Sequence, residues 1–248
     1  MGADGNITKD LIYDAVAPDD FESMLELDRY NARSTAFDKI ISATHDHFWD
    51  PLDKKYIDFD EPFDYWMLSL SWSPEYCASG KRPDEPQCER AYRFVVHGLW
   101  PQYRTGYPDY CGRTQRVPDD LVERMLPLMP SEKLVQHQWR KHGSCSGMAV
   151  GEYFLQTERA RRRIVIPETL DVIDKPLESS IDGVEKAFIE ANPGLRSQGI
   201  ALQCSGRWLS EVRICFDRDF QFRDCGLDIR DRCRSQLTIR PSNPGRSR

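Results

Sequence analysis

Two short segments of the chain concentrate side chains able to move protons. The first is Phe94-Val95-Val96-His97-Gly98-Leu99-Trp100-Pro101, and the second is Leu134-Val135-Gln136-His137-Gln138-Trp139-Arg140-Lys141-His142-Gly143-Ser144-Cys145. An imidazole titrates at about pH 6.5, so a pair of them can hold one neutral and one protonated member and act as base and acid together. Lys141 and Gln138 donate hydrogen bonds and suit oxygens whose negative charge grows during a reaction. Base, acid and oxyanion stabilisers with no Ser or Cys nucleophile among them describe a site whose substrate brings its own nucleophile. RNA does so through its 2′-hydroxyl.

The elements expected to position these groups follow from pattern. Residues 91–97 alternate Tyr92, Phe94 and Val96 against Arg93, Val95 and His97, which reads as a strand. Gly98 is then expected to turn the backbone and leave His97 at the strand terminus facing a cleft. The second segment reads as a helix over 131–141, with Ser131 as N-cap and Gly143 as stop. At about 100° per residue, His137, Lys141, Gln138 and His142 fall at roughly 0°, 40°, 100° and 140°, on one face. Val135 and Trp139, near roughly 160° and 200°, can reach a core. Residues 63–72 carry bulky side chains on both alternating sets, as a central strand covered on both faces would. A third strand is expected over 209–216, and further helices over 119–128, 151–163 and 181–191.

The chain has 248 residues, 40% hydrophobic and 30% charged, enough to bury a sizeable core. Lys and Arg number 34 against 40 Asp and Glu, a formal charge of −6. That excludes a generic electrostatic nucleic-acid binder, which gains affinity by displacing many phosphate counterions, but leaves room for a local phosphodiester site. No apolar run reaches the roughly 20 residues of a membrane-spanning helix. The eight cysteines, none in a Cys-x-x-Cys pair, point to disulfides and an oxidising compartment. A secreted or periplasmic location follows, although residues 1–10 are polar and acidic and carry no signal peptide. Residues 1–60 contain no cysteine and are rich in Asp. They read as an acidic N-terminal extension, partly helical over about 20–41, preceding a catalytic domain over 61–240. The tail 241–248, basic and with two prolines, is expected to be disordered.

Other uses of the same residue types compete with the catalytic one. A lone strand histidine such as His97 is more often structural. His137 and His142 are five apart rather than the i, i+4 spacing of a helical zinc site, and His45-x-His47 stands in an irregular stretch, so no metal site is assigned. The four arginines within 159–163 read first as a solvated helix face.

FVVHGLWP and HQWRKHGSC resemble the two active-site signatures of the ribonuclease T2 family, in the right order and each with its Trp and Gly in register. The resemblance runs from FDYWMLSLSW to the last cysteine, includes AFIEANPGL and LSEVRICFD, and is closest to the bacterial branch. It implies an α+β fold, an antiparallel central sheet flanked by helices and stapled by disulfides. The implied pairs are Cys77–Cys88, Cys111–Cys145, and Cys204–Cys233 nested around Cys215–Cys225. The implied activity is cleavage of single-stranded RNA, not DNA, by transphosphorylation without metal or cofactor, giving a 2′,3′-cyclic phosphate and then a 3′-phosphate. His142 is implied as general base, His97 as general acid and His137 as phosphate holder. Lys141 and Gln138 stabilise the phosphorane, and Trp100 and Tyr107 sandwich the base on the 5′ side.

Two positions depart from the family pattern. Many members have Glu where this chain has Gln138, and an amide can neither take a proton nor supply negative charge to a neighbouring imidazole. The expectation is reduced activity with the basic limb of the pH profile at lower pH than in Glu-bearing relatives. Gln102 stands where some relatives use Asp to read adenine, so no base preference carries over. Three functional readings stay open on sequence: an active ribonuclease; a silent relative that binds RNA or another partner, suggested by Gln138 and the acidic extension; and an unrelated secreted binding module with structural histidines. No feature of the sequence assigns an oligomeric state.

Overall fold

The computed structural model describes residues 63–79, 85–112 and 114–242; the expected N-terminal extension and its helix lie outside them. The sheet has six strands: β1 (Tyr65–Trp72), β2 (Phe94–Gln102), β3 (Leu177–Ser180), β4 (Ile200–Ser205), β5 (Trp208–Phe216) and β6 (Gln236–Ile239). Its order is β2-β1-β5-β6-β3, with β4 also paired to β5. All pairs are antiparallel except the short β5–β6 contact. The helices are α1 (Ser73–Ala78), α2 (Pro86–Glu89), α3 (Asp119–Met125), α4 (Glu132–Lys141), α5 (Val150–Arg162), α6 (Glu168–Asp171) and α7 (Ile181–Ala191). This is the expected α+β architecture.

Alternation along β1 divides the sheet into two unlike faces. Trp66, Leu68, Leu70 and Trp72 join the main core, with Val212, Ile214 and Phe216 of β5. Helices close that face through Val122 and Met125, Val135 and Trp139, Tyr153 and Phe154, and Val184 and Phe188. The opposite face carries Tyr65 and Met67, then the small Ser69 and Ser71. The expectation that β1 is covered on both faces holds, but the second cover is sparse in side-chain volume. That is where the site lies.

Four disulfides pair all eight cysteines: Cys77–Cys88, Cys111–Cys145, Cys204–Cys233 and Cys215–Cys225. Cys111–Cys145 ties the loop after β2 to the end of α4. Backbone bonds reinforce the tie, from Tyr110 N–H to Lys141 O (2.9 Å) and from Cys111 N–H to the Ser144 hydroxyl (3.1 Å). Of the expected tail, residues 243–248 lie outside the described residues. Ser242 is buried, its N–H donates to Ile173 O (2.7 Å), and its hydroxyl accepts from Ile173 N–H (3.0 Å).

Candidate active site

His97 does not end a strand, as expected from Gly98; β2 continues through Gln102. The pairing with β1 slips here. Leu70 pairs with Val96 and Ser69 with Gly98, so His97 is the extra residue of a β-bulge. The slip has a chemical consequence. In an unbroken strand His97 and Trp100, three apart, would point to opposite faces. With the bulge, His97, Gly98, Trp100 and Gln102 share the sparse face, while Val96 and Leu99 stay in the core.

α4 begins as expected, with the Ser131 hydroxyl accepting from Leu134 N–H. Val135 and Trp139 enter the core, and His137, Gln138 and Lys141 turn the other way. His142 is the C-cap, its N–H bonded to Gln138 O, rather than a residue of the helix itself. Gly143 lets the chain pass: a Cβ there would lie 2.3 Å from the Trp139 ring and 2.9 Å from Tyr153. No larger residue would keep the helix end in this place.

A cleft of about 340 Å³ unites the two segments. His97, Trp100, Gln102, Tyr107, His137, Gln138, Lys141 and His142 all line it, with Met67 and Arg213. Its far wall, residues 228–230 and 232, comes from the loop between β5 and β6. Trp100 organises the near wall. Its ring centroid lies 5.1 Å from His97, edge-on, and 5.1 Å from His142, stacked at 25°. The two imidazoles thus flank one indole in one opening. The indole N–H, which can only donate, bonds Gln138 Oε1 at 2.7 Å. That fixes the amide and leaves its NH₂ as the group able to donate into the cleft. Gly98 makes room, because a Cβ there would sit 2.0 Å from Gln138 Oε1 and 2.4 Å from Trp100 Nε1.

The two catalytic candidates differ electrostatically. His142 is 4% exposed. Burial, followed by the positive charges of Lys141, His97 and His137, pushes its pKa down to about 3. It is therefore neutral in ordinary conditions, the form a proton acceptor needs. His97 is half-buried and its Nδ1 lies 2.9 Å from Glu211 Oε2. Burial works to raise the Glu211 pKa, but the hydrogen bond and charge of His97, with those of Arg213, hold it at about 2. Arg213 Nε donates to the other carboxylate oxygen, and its guanidinium lies over the Trp100 ring, 5.2 Å from the centroid.

Sequence reasoning missed Glu211 and Arg213. Both stand in the strand LSEVRICFD, where their alternation with Val212 and Ile214 was the available signal. Trp100, expected as a base platform, is 9% exposed and packed between the imidazoles, whereas Tyr107 is 48% exposed, with Lys141 Nζ 5.6 Å from its centroid. Gln102 is buried, its amide donating to Pro101 O. Among the described residues no three His, Cys, Asp or Glu side chains gather as a ligand set for a metal.

Known proteins resemble this chain in sequence and fold. Residues 63–225 match the family model of the Ribonuclease T2 family. A ribonuclease of Aeromonas hydrophila is 38% identical over 162 residues, covering 63% of this chain and 73% of the relative. A probable ribonuclease of Haemophilus influenzae is 30% identical over 180 residues, covering 66% of this chain and 61% of the relative. Among solved structures, an RNase-related protein from Calystegia sepium superposes with a TM-score of 0.61 at 23% identity, covering 73% of this chain and 98% of that one. RNase NT in complex with 5′-AMP gives 0.60 at 23% identity, over 72% and 98%. The matched span holds both histidine segments and the strand that carries Glu211, and the chain belongs to the ribonuclease T2 family, as a ribonuclease of that type.

Proposed function

We propose that the protein is an endoribonuclease that cleaves single-stranded RNA by metal-independent transphosphorylation. The observation that carries this reading is the placement of His97 and His142 on two sides of Trp100 in one cleft. His142, neutral through burial, accepts the 2′-hydroxyl proton. The resulting oxygen attacks the adjacent phosphorus as the bond to the 5′-oxygen breaks. His97 delivers a proton to that departing oxygen from Nε2, while Glu211 receives the hydrogen bond of Nδ1–H. The product is a 2′,3′-cyclic phosphate, which water then opens to a 3′-phosphate with the two roles exchanged. Lys141, His137 and the Gln138 NH₂ supply donors for the phosphoryl oxygens. Tyr107, which lines the same cleft as Trp100, offers the aromatic surface for the base on the 5′ side.

DNA is not a substrate in this reading, because it lacks the attacking hydroxyl. Four disulfides and no free cysteine support a secreted or periplasmic setting. The deciding experiment offers an oligoribonucleotide and its deoxy counterpart in EDTA, with ³¹P NMR of the products. Cyclic phosphate from RNA alone, absent with His97→Ala and His142→Ala, supports the reading. Loss of all cleavage in EDTA, or turnover in either variant, would refute it. The amide at Gln138 favours a second reading, a weakened member that binds RNA; tight RNA binding without products would establish it.

A further inference from the structure

The proposed chemistry draws on one wall of the cleft, and the other wall carries cations that it does not use. Residues 230–232 run extended beside β4 and are pinned to it at every residue. Gln203 Nε2 donates to Arg230 O (3.1 Å), Leu202 N–H donates to Asp231 Oδ1 (2.7 Å), and Arg232 N–H donates to Leu202 O (2.8 Å). Gln203 and Arg232 form a parallel bridge, and Cys233, the next residue, is disulfide-bonded to Cys204.

Side chains alternate along extended backbone. Asp231 is turned to β4, so Arg230 and Arg232 emerge together on the other side, where both line the cleft. Both are exposed, and among the described residues neither guanidinium has an ion-pair, hydrogen-bond or ring partner. Arg213, by contrast, is committed to Glu211. In a chain of net charge −6, two unneutralised arginines held side by side on a rigid backbone are not a by-product of basic composition.

Their position along the sheet gives the strand direction. The order from β2 through β1 and β5 to β4 places the His97–Glu211 pair between α4 and the arginine segment. With the attacking hydroxyl at His142 and the departing oxygen at His97, the nucleotide after the cut continues toward β4. We propose that Arg230 and Arg232 form a second phosphate site, which binds the phosphodiester following the scissile one on its 3′ side. Two guanidiniums suit a phosphate group, each able to donate two parallel hydrogen bonds. This inference rests on the proposed roles of His97 and His142.

The test compares a dinucleoside monophosphate with the same dinucleotide extended by one nucleotide on its 3′ side or on its 5′ side. Wild type should cleave the 3′-extended substrate with kcat/KM about tenfold or more above the dinucleoside monophosphate, chiefly through KM. Arg230→Ala/Arg232→Ala should lose that gain, cleave the dinucleoside monophosphate within about twofold of wild type, and lower the log–log salt slope by about 0.7, for one single-strand phosphate. Unchanged thermal unfolding of the variant would show that its fold is intact, since both side chains are exposed. No advantage of 3′ extension in wild type, or an advantage that survives in the variant, would overturn the second phosphate site while leaving the cleavage reaction standing. A gain from 5′ extension that the variant loses would overturn the strand direction. Absence of any cleavage by wild type would remove the functional reading beneath it.

Discussion

His97 and Glu211 stand on strands that do not pair, yet Nδ1 of one lies 2.9 Å from Oε2 of the other. They meet across β1, where Ser69 and Ser71 leave the space that a larger side chain would fill. A carboxylate held ionised by Arg213 and this histidine fixes the proton on Nδ1 and leaves Nε2 to serve the cleft. The carboxylate that position 138 lacks is thus present near the site, on another strand and beside the other histidine.

Glu211→Gln should therefore lower kcat by about 10- to 100-fold with little change in KM, the range seen when a group that orients a functional imidazole is removed. Glu211→Asp should restore part of the rate. The ¹⁵N shifts of the His97 ring provide a readout that a general loss of stability would not move: the variant should show a mixture of tautomers. A full wild-type rate, or an unchanged ring spectrum, would rule out the positioning role.

The fold was largely legible in the sequence because its signals are local: bulky alternation in 63–72, the Ser131 cap, the Gly143 stop. The short β3, β4 and β6 were not, since four to six residues carry too little periodicity to stand apart from a loop. The bulge at His97 escaped for a different reason. It is a property of register between two strands, and a single strand read alone shows only alternation. Glu211 escaped likewise, because its partner is 114 positions away.

The depressed pKa of His142 has a kinetic sign. Its imidazole takes a proton only near pH 3, whereas an ordinary histidine does so at about 6.5, so the base stays competent through mildly acidic solution. The acid limb of kcat/KM should accordingly fall near pH 3 to 4 if His142 alone sets it. The same shift means that stability linked to His142 is present above about pH 6.5 and is lost as pH falls toward 3. Gln138→Glu places a carboxylate against Trp100 and near the imidazoles, which favours their charged forms, so the whole profile should move to higher pH. Profiles of wild type and variant that superimpose would show that position 138 does not set the titration.

Gly98→Ala tests the crowding behind the catalytic wall. The new methyl would overlap the Gln138 amide oxygen and the Trp100 indole nitrogen, so the bond between them must break or both side chains must shift. Overpacking of this kind costs on the order of 1–3 kcal/mol. The rate should fall further than stability suggests, by about 100-fold, because a displacement of about 1 Å at a reacting group has that effect. Thermal unfolding and steady-state kinetics on the same sample separate the two; a variant that is less stable yet fully active would show that the Gln138–Trp100 contact is not needed.

Glu185 on α7 faces Asp231, and burial, then the charges of Asp231 and Asp182, raises its pKa to about 7 from an ordinary 4.5. A carboxyl whose folded pKa is raised contributes stability that is fully present below about pH 4.5 and is lost as pH rises through 7. Glu185→Gln should match wild type at pH 4 and exceed it at pH 8, by about 1 kcal/mol once solvent screening of this half-exposed group is allowed for. Because Asp231 accepts the Leu202 N–H, hydrogen exchange at Leu202 should quicken in wild type between pH 5 and pH 8 beyond its intrinsic base catalysis, and should not do so in the variant. Equal denaturation midpoints for the two proteins at pH 8 would mean that Glu185 and Asp231 do not share a proton.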